Sequence, residues 1–131
     1  MSKEARIHQL HQIAKCYVIE GLGAKNFDAI PYHSDVELRA PINPGGAESP
    51  MIGVDNLRSN WWAPLPELVK STTYVDSYVN EDLSAVTVEF YCDTLQPACR
   101  LRIVDRFKVD GTGKITAQEN FFDPRALTGL S

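Results

Sequence analysis

The clearest pattern in the chain is the alternation of polar and apolar residues in CRLRIVDRFKVDGTGK, Cys99 to Lys114, which ends in a tight turn and has Val104 among the basic residues of one face. In an extended strand, successive side chains point to opposite faces, so one face here is basic and the other is apolar. The apolar face carries Leu101, Ile103, Phe107 and Val109. One carboxylate, Asp105, stands in this apolar row. The pattern therefore predicts a long strand that buries a single acidic side chain.

Similar patterns predict the elements around this strand. Alternation in DVELRAP, TTYVDSYV, AVTVEFYCD and KITAQENFF indicates further strands, and Asp110-Gly111 is typical of a tight hairpin. Apolar residues from Ile7 to Gly21 recur at three- and four-residue steps, which predicts a helix capped by Ser2. FDAIPY indicates a short helix or a turn, and the segment 54–68 indicates another helix, interrupted near Pro64 and Pro66. NPGGAESP is a loop long enough to form a flap. Helices precede a run of antiparallel strands, so we expect one α+β domain over residues 1–131.

Hairpin register predicts the neighbours of Asp105. If the last two turns are simple hairpins, Asp105 opposes Val86 on one side and Gln118 on the other, and Ile103 opposes Asn120. A polar cluster then lies on an apolar face. An unpaired buried carboxylate is costly, so Asp105 must find hydrogen-bond partners or keep its proton, and burial raises the pKa of such a group. A proton-transfer group and a purely structural aspartate both fit this pattern.

Charge and composition exclude several function classes. The formal net charge is −4 and the sequence pI is about 5.3, and the basic residues form no dense cluster, so we expect no nucleic-acid partner. No apolar run approaches the roughly 18 residues of a membrane-spanning helix, so we expect no membrane partner. The start, MSKEARIHQLHQ, is charged and unlike a signal peptide, so the expected location is cytoplasmic.

Metal and cofactor signals are weak. Glu4, His8 and His11 share one helix face and could be drawn as a metal site, but a solvated helix face is the favoured interpretation. The three cysteines, Cys16, Cys92 and Cys99, lack the paired spacing of zinc sites and are expected to be reduced thiols. No phosphate-cradling loop is present. We therefore expect neither a metal nor a cofactor.

Five segments, in this order, together resemble the nuclear transport factor 2-like superfamily. They are AKCYV, FDAIPYHSDVELRAP, GVDNLRSNWW, IVDRFKVDGTGKI and ENFFDP. That superfamily includes ketosteroid isomerases, SnoaL-type polyketide cyclases, scytalone dehydratase and limonene epoxide hydrolase. The resemblance implies a cone-shaped α+β barrel, in which N-terminal helices pack against a strongly curved, mainly antiparallel sheet that encloses a cavity.

The resemblance also implies roles for individual residues. Tyr17 and Asp105 match the tyrosine and the neutral aspartic acid that form the oxyanion hole of ketosteroid isomerases. Tyr32 matches a tyrosine that supports the first, and Trp61 stands where a third often lies. Ala40 replaces the aspartate that serves as general base, which argues against steroid isomerisation by that mechanism. SnoaL-type cyclases are similar in another way, with an acid–base aspartate and a helix tyrosine, and Tyr17 with Asp105 fits that scheme.

These observations lead to three functional hypotheses. The first is a cofactor-independent isomerase, cyclase or dehydratase that acts on a small, mostly apolar carbonyl compound, with Asp105 and Tyr17 as catalytic residues. The substrate contacts would come from Tyr32, Trp61, Phe90, Phe107, Gln118, Asn120 and Phe122. The second is a binding module that uses the same cavity, and the third is a protein-interaction domain. The outer sheet face, with Tyr91, Val104 and Phe121, is expected to form a homodimer.

Overall fold

A curved, open sheet of six strands in the order β2-β1-β6-β5-β4-β3 organises the computed structural model, which describes residues 1–128. The strands are β1 Tyr32–Arg39, β2 Met51–Ile52, β3 Val69–Val79, β4 Ala85–Leu95, β5 Ala98–Val109 and β6 Ile115–Phe121. β1 and β6 are parallel, and every other neighbouring pair is antiparallel. The predicted α+β class with a mainly antiparallel sheet is confirmed.

The first helix, α1, spans Lys3–Cys16 and continues without a break into a π-helical segment, Tyr17–Gly23. Ser2 caps it, as predicted, by accepting a hydrogen bond from the backbone N–H of Ala5 at 3.1 Å. The predicted apolar stripe is buried against the inner face of the sheet, except for Ile7, which is half-buried. Shorter helices follow, namely a 3₁₀ turn at Phe27–Ala29, α2 at Val54–Leu57, a second π segment at Arg58–Trp62, α3 at Leu65–Leu68 and α4 at Arg125–Thr128. None of the helices within residues 1–128 is long and apolar enough to cross a membrane.

Arg6 fixes the start of α1 against the ends of the long strands. Its guanidinium donates hydrogen bonds to the backbone carbonyls of Leu83, Val109 and Asp110 at 3.0, 2.8 and 3.0 Å. Leu83 lies in the turn before β4, Val109 ends β5 and Asp110 begins the next turn, so one side chain joins the helix to both turns.

Both predicted hairpin registers are wrong by two positions. Asp105 lies opposite Val88 on β4 and Asn120 on β6, not opposite Val86 and Gln118. In the first hairpin the strands pair as far as the tight turn at 96–97, and in the second a bulge between Lys108 and Val109 shifts the pairing. Because side chains alternate with a period of two, an offset of two leaves every residue on its predicted face.

Candidate active site

A cavity of about 50 Å³ lies between the inner sheet face and the helices. Its wall is formed by Tyr17, Leu22, Ile42, Trp61, Leu65, Leu68, Val69, Phe90, Cys92, Thr94, Leu101, Ile103, Asp105, Asn120, Phe122 and Leu127. These lining residues include no lysine, arginine or histidine, and Asp105 is the only carboxylate among them. The cavity therefore offers an apolar wall with a few polar groups, which is the usual composition of a small-molecule site.

Asp105 projects inward from the middle of β5 and is only 1% exposed. Burial raises the pKa of this carboxyl well above that of a solvated aspartate, and the Tyr17 hydroxyl opposes the shift in part. The shift means that Asp105 keeps its proton to a higher pH than surface aspartates do. A carboxyl of this kind can donate a hydrogen bond when neutral and is a stronger base when ionised.

Tyr17 is the first residue of the π-helical segment and reaches the same cavity from the helical side. Its ring is held by Phe107, Phe90 and Trp62, with ring centroids 4.9, 6.2 and 6.4 Å away. Burial, and then the nearby Asp105, raise the pKa of the Tyr17 phenol well above its ordinary value. The phenol therefore stays protonated and remains a hydrogen-bond donor.

Gln118 and Asn120, two residues apart on β6, join Tyr17 to Asp105. The amide nitrogen of Gln118 donates to the Tyr17 hydroxyl oxygen at 3.1 Å and to Asn120 Oδ1 at 2.8 Å. The amide oxygen of Gln118 accepts from the Tyr32 hydroxyl at 2.5 Å. Both amide side chains are buried, so this network satisfies polar groups that water cannot reach.

The structure divides the predicted site residues into two groups. Six line the cavity, namely Tyr17, Trp61, Phe90, Asp105, Asn120 and Phe122. The other three, Tyr32, Phe107 and Gln118, lie behind this wall, where they contact Tyr17 or the amides rather than the cavity. These three residues were predicted to contact substrate, but they are not among the residues that line the cavity, and they support the residues that do. Ala40, at the position of the general base in ketosteroid isomerases, is fully buried and also lies outside the lining.

Sequence reasoning missed two polar or reactive lining residues, Cys92 and Thr94. Burial raises the pKa of the Cys92 thiol to about 11, so this sulfur is a neutral thiol in the wall. The strand predicted from AVTVEFYCD ends at Asp93, one residue before Thr94, whereas β4 continues to Leu95. Continuing the alternation from Phe90 by two more steps would have found both residues.

The predicted flap, segment 43–50, is tied to β1. Asn43 Nδ2 donates to the Leu38 carbonyl at 3.0 Å, and Arg39 Nη1 donates to the Ala47 carbonyl at 2.8 Å. The cavity is reached instead by Ile42, which directly precedes this segment. The loop therefore supports the wall through its attachment to β1.

Comparisons with known proteins support the fold. No protein-family model matches the sequence, and no curated protein matches it. Among solved structures, the chain superposes on a Jannaschia protein that is described, by similarity, as a SnoaL-like polyketide cyclase. The TM-score is 0.77 at 15% identity, and the match covers 94% of this chain and 91% of the Jannaschia chain. A SnoaL-like protein of unknown function from Burkholderia thailandensis gives 0.72 at 14% identity, covering 88% and 95%.

A third structure is similar over most of both chains. It is the epoxide hydrolase/cyclase-like enzyme SalBIII of pyran ring formation in the polyether salinomycin, with a TM-score of 0.69 at 15% identity and 93% of each chain covered. Identities this low show a shared fold, so the predicted likeness to the SnoaL-like and nuclear transport factor 2-like proteins is confirmed at that level. Activity has to be argued from the site itself, since this scaffold serves several functions.

Proposed function

We propose that this chain is an enzyme that moves a proton on a small, neutral, mostly apolar carbonyl compound, using its own side chains as acid and base. The observation that carries the proposal is the convergence of Asp105 and Tyr17 on one apolar cavity. Isomerisation, aldol-type cyclisation and dehydration all begin with this kind of proton transfer. The SnoaL-like and cyclase-like names of structures with the same fold agree with the proposal.

The charge of the lining favours a neutral substrate. An anionic substrate would need a cationic partner in an apolar site, and the described residues that line the cavity include none. The cavity is also smaller than the roughly 300–1,000 Å³ of most ligand sites, so the fitting substrate is compact or enters as the wall residues move apart. A ketone or aldehyde on a short apolar frame meets both conditions.

The chemistry follows from the positions of the two catalytic residues. Tyr17 donates a hydrogen bond to the carbonyl oxygen, while ionised Asp105 removes a proton from the neighbouring carbon. The electron pair of the broken C–H bond forms an enolate, whose oxygen is stabilised by the Tyr17 hydroxyl. Asp105, now neutral, returns the proton to another carbon in an isomerase. In a cyclase the enolate carbon attacks a second carbonyl, and Asp105 protonates the new alkoxide.

Proton exchange with solvent tests this function without knowledge of the natural substrate. The protein is incubated with cyclopentanone in D₂O, and deuterium incorporation next to the carbonyl is followed by NMR. We expect the protein to raise the rate of exchange above that of the buffer alone. Phenol, a neutral mimic of the enol, should inhibit this catalysed exchange by competition. Binding of phenol without any catalysed exchange would favour the second hypothesis, a module that holds a ligand in the same cavity.

We also propose that the outer face of the sheet forms a twofold homodimer. Val104 and Phe121 lie opposite each other on β5 and β6 and are 37% and 41% exposed. Charged residues of both signs flank them, and Arg106 Nη2 lies 3.2 Å from Glu119 Oε1 in an ion pair. A surface with apolar residues and balanced charge can pair with its own copy, whereas a protein adaptor would use the same surface for a different partner.

A further inference from the structure

We propose that Gln118 and Asn120 are positioning residues whose side-chain amides turn together when Asp105 gives up its proton. The inference deepens the proposed function, on which its catalytic meaning rests. Its evidence is the arrangement of donors and acceptors in the buried network, which exists whether or not a substrate is turned over.

The Asn120 amide has a contact that depends on the proton of Asp105. One terminal atom of this amide lies 2.8 Å from Gln118 Nε2 and 2.9 and 3.2 Å from the two carboxyl oxygens of Asp105. If that atom is oxygen, it faces two carboxyl oxygens and is stable there only when one of them carries a hydrogen. If it is nitrogen, it donates to an ionised carboxylate. The Asn120 orientation and the Asp105 proton are therefore coupled by geometry.

With Asp105 neutral, each of the contacts between Asp105, Asn120, Gln118, Tyr17 and Tyr32 pairs a donor with an acceptor. Asp105 and Gln118 Nε2 both donate to Asn120 Oδ1, and the second hydrogen of Gln118 Nε2 goes to the Tyr17 oxygen. Tyr32 donates to the Gln118 oxygen. Tyr17 then accepts a hydrogen bond and keeps its own hydrogen free for the cavity.

With Asp105 ionised, both amides must turn. Asn120 then presents nitrogen to the carboxylate, and the same nitrogen lies 2.8 Å from the Gln118 atom that was a donor. Two donors cannot face each other, so Gln118 turns as well and places its oxygen there. Its nitrogen now donates to Tyr32. In the absence of substrate, the Tyr17 hydroxyl can donate to the Gln118 oxygen across the 3.1 Å contact or to ionised Asp105.

The coupled turn links the two catalytic residues. When Asp105 takes up the substrate proton, the amides return to the first arrangement, in which Gln118 donates to Tyr17 and Tyr17 donates to the enolate oxygen. The donor strength of Tyr17 thus rises at the step where negative charge develops on the substrate. Asp105 and Tyr17 can act as one unit although the amides are not themselves catalytic.

The titratable groups that face Asp105 are Tyr17 from the helical side, Tyr32 on β1 and Cys92 on β4. Burial raises the pKa of all three, so they stay neutral to a higher pH than the same groups in solvent. The strand β6 contributes only the two amides to this cluster. A pH-dependent change in the network therefore reports the Asp105 proton.

NMR of the 131-residue protein tests the inference. The Asp105 carboxyl carbon is followed from pH 5 to 10, together with nuclear Overhauser contacts from the Gln118 amide hydrogens to the rings of Tyr17 and Tyr32. We expect contacts to Tyr17 at low pH and to Tyr32 at high pH, with the change centred on the Asp105 titration. The Asp105→Asn variant has no proton to lose, so its contacts should not vary with pH.

Three results would overturn the inference. They are amide contacts that stay fixed while Asp105 titrates, contacts that change equally in Asp105→Asn, and an Asp105 carbon that does not titrate in this range. None of these measurements uses turnover. If the amides turn but cyclopentanone exchange is never catalysed, the network is confirmed and the proposed enzymatic function fails.

Discussion

Asn120 faces Asp105 directly across β5 and β6, with an amide atom 2.9 Å from a carboxyl oxygen. This pairing places a neutral amide, not a cation, beside Asp105, the one carboxylate among the described residues that line the cavity. A cation would hold the carboxylate ionised, whereas an amide can bond to either protonation state by turning. The relationship suits a residue that must both take up and release a proton.

The buried Asp105 should make stability depend on pH in a direction that can be tested. Because the folded state holds this proton more tightly than the unfolded chain, the folded protein loses stability as pH rises above about 4. The loss continues at about 1.4 kcal/mol per pH unit until Asp105 ionises in the folded state. The Asp105→Asn variant should not show this loss. The difference in free energy of unfolding between the variant and the wild type, measured in urea, should therefore shift in favour of the variant from pH 4.5 towards 7.5.

Asp82→Asn is the matched control, because Asp82 is solvent-exposed and hydrogen bonds from Ser84 lower its pKa. Asp82 is ionised in both the folded and the unfolded chain above about pH 4.5, so the stability difference for this variant should be flat over the same range. An Asp105→Asn advantage that is equally flat would show that the folded protein does not retain the Asp105 proton.

Substitution of Tyr17 should slow catalysis much more than substitution of Tyr32. Tyr17→Phe keeps the packed ring and removes the donor to the substrate oxygen, so we expect cyclopentanone exchange to fall by about 10²–10³-fold, as for loss of one oxyanion donor. Tyr32→Phe removes only the support to Gln118, and its effect should be several-fold. Exchange rates and urea unfolding of both variants check the prediction. Equal losses, or a greater loss in Tyr32→Phe, would contradict the assignment of Tyr17 as the direct donor.

The outer sheet face should control the oligomeric state. Phe121→Lys places an unpaired charge in the proposed interface, so sedimentation velocity should show a shift from dimer to monomer with exchange activity per chain largely retained. Ile19→Lys makes the same change at a residue that is 50% exposed on the helical side, and this variant should remain a dimer. A wild-type protein that is monomeric at all concentrations would overturn the dimer proposal.

The alternation of polar and apolar residues predicted most of the fold correctly, whereas the predicted hairpin registers were wrong. The inner and outer faces of β4, β5 and β6 follow directly from the period of two, which survives the two-residue offset of both hairpins. The offset itself depends on the tight turn at 96–97 and on the bulge after Lys108. The polarity pattern of the sequence predicts neither the turn nor the bulge, because local backbone geometry determines both.

The candidate site was predictable where a residue type was anomalous for its position. Asp105 stood out as a charge in an apolar row, and Tyr17 lay on the buried stripe of the first helix. The pairing of Asp105 with Asn120 and the role of Gln118 as a link were not predictable, since amide contacts depend on side-chain orientation. The π-helical segment beginning at Tyr17 also has no sequence pattern that distinguishes it from an α-helix.

The most direct test of the account is the rate of cyclopentanone deuteration by Asp105→Asn compared with wild type. The substituted amide keeps the shape of the side chain and can hydrogen-bond to Asn120, but it cannot accept a proton from carbon. We predict that catalysed exchange falls to the buffer rate while phenol still binds and the protein remains folded. Exchange by Asp105→Asn at the wild-type rate would contradict the claim that Asp105 carries the proton.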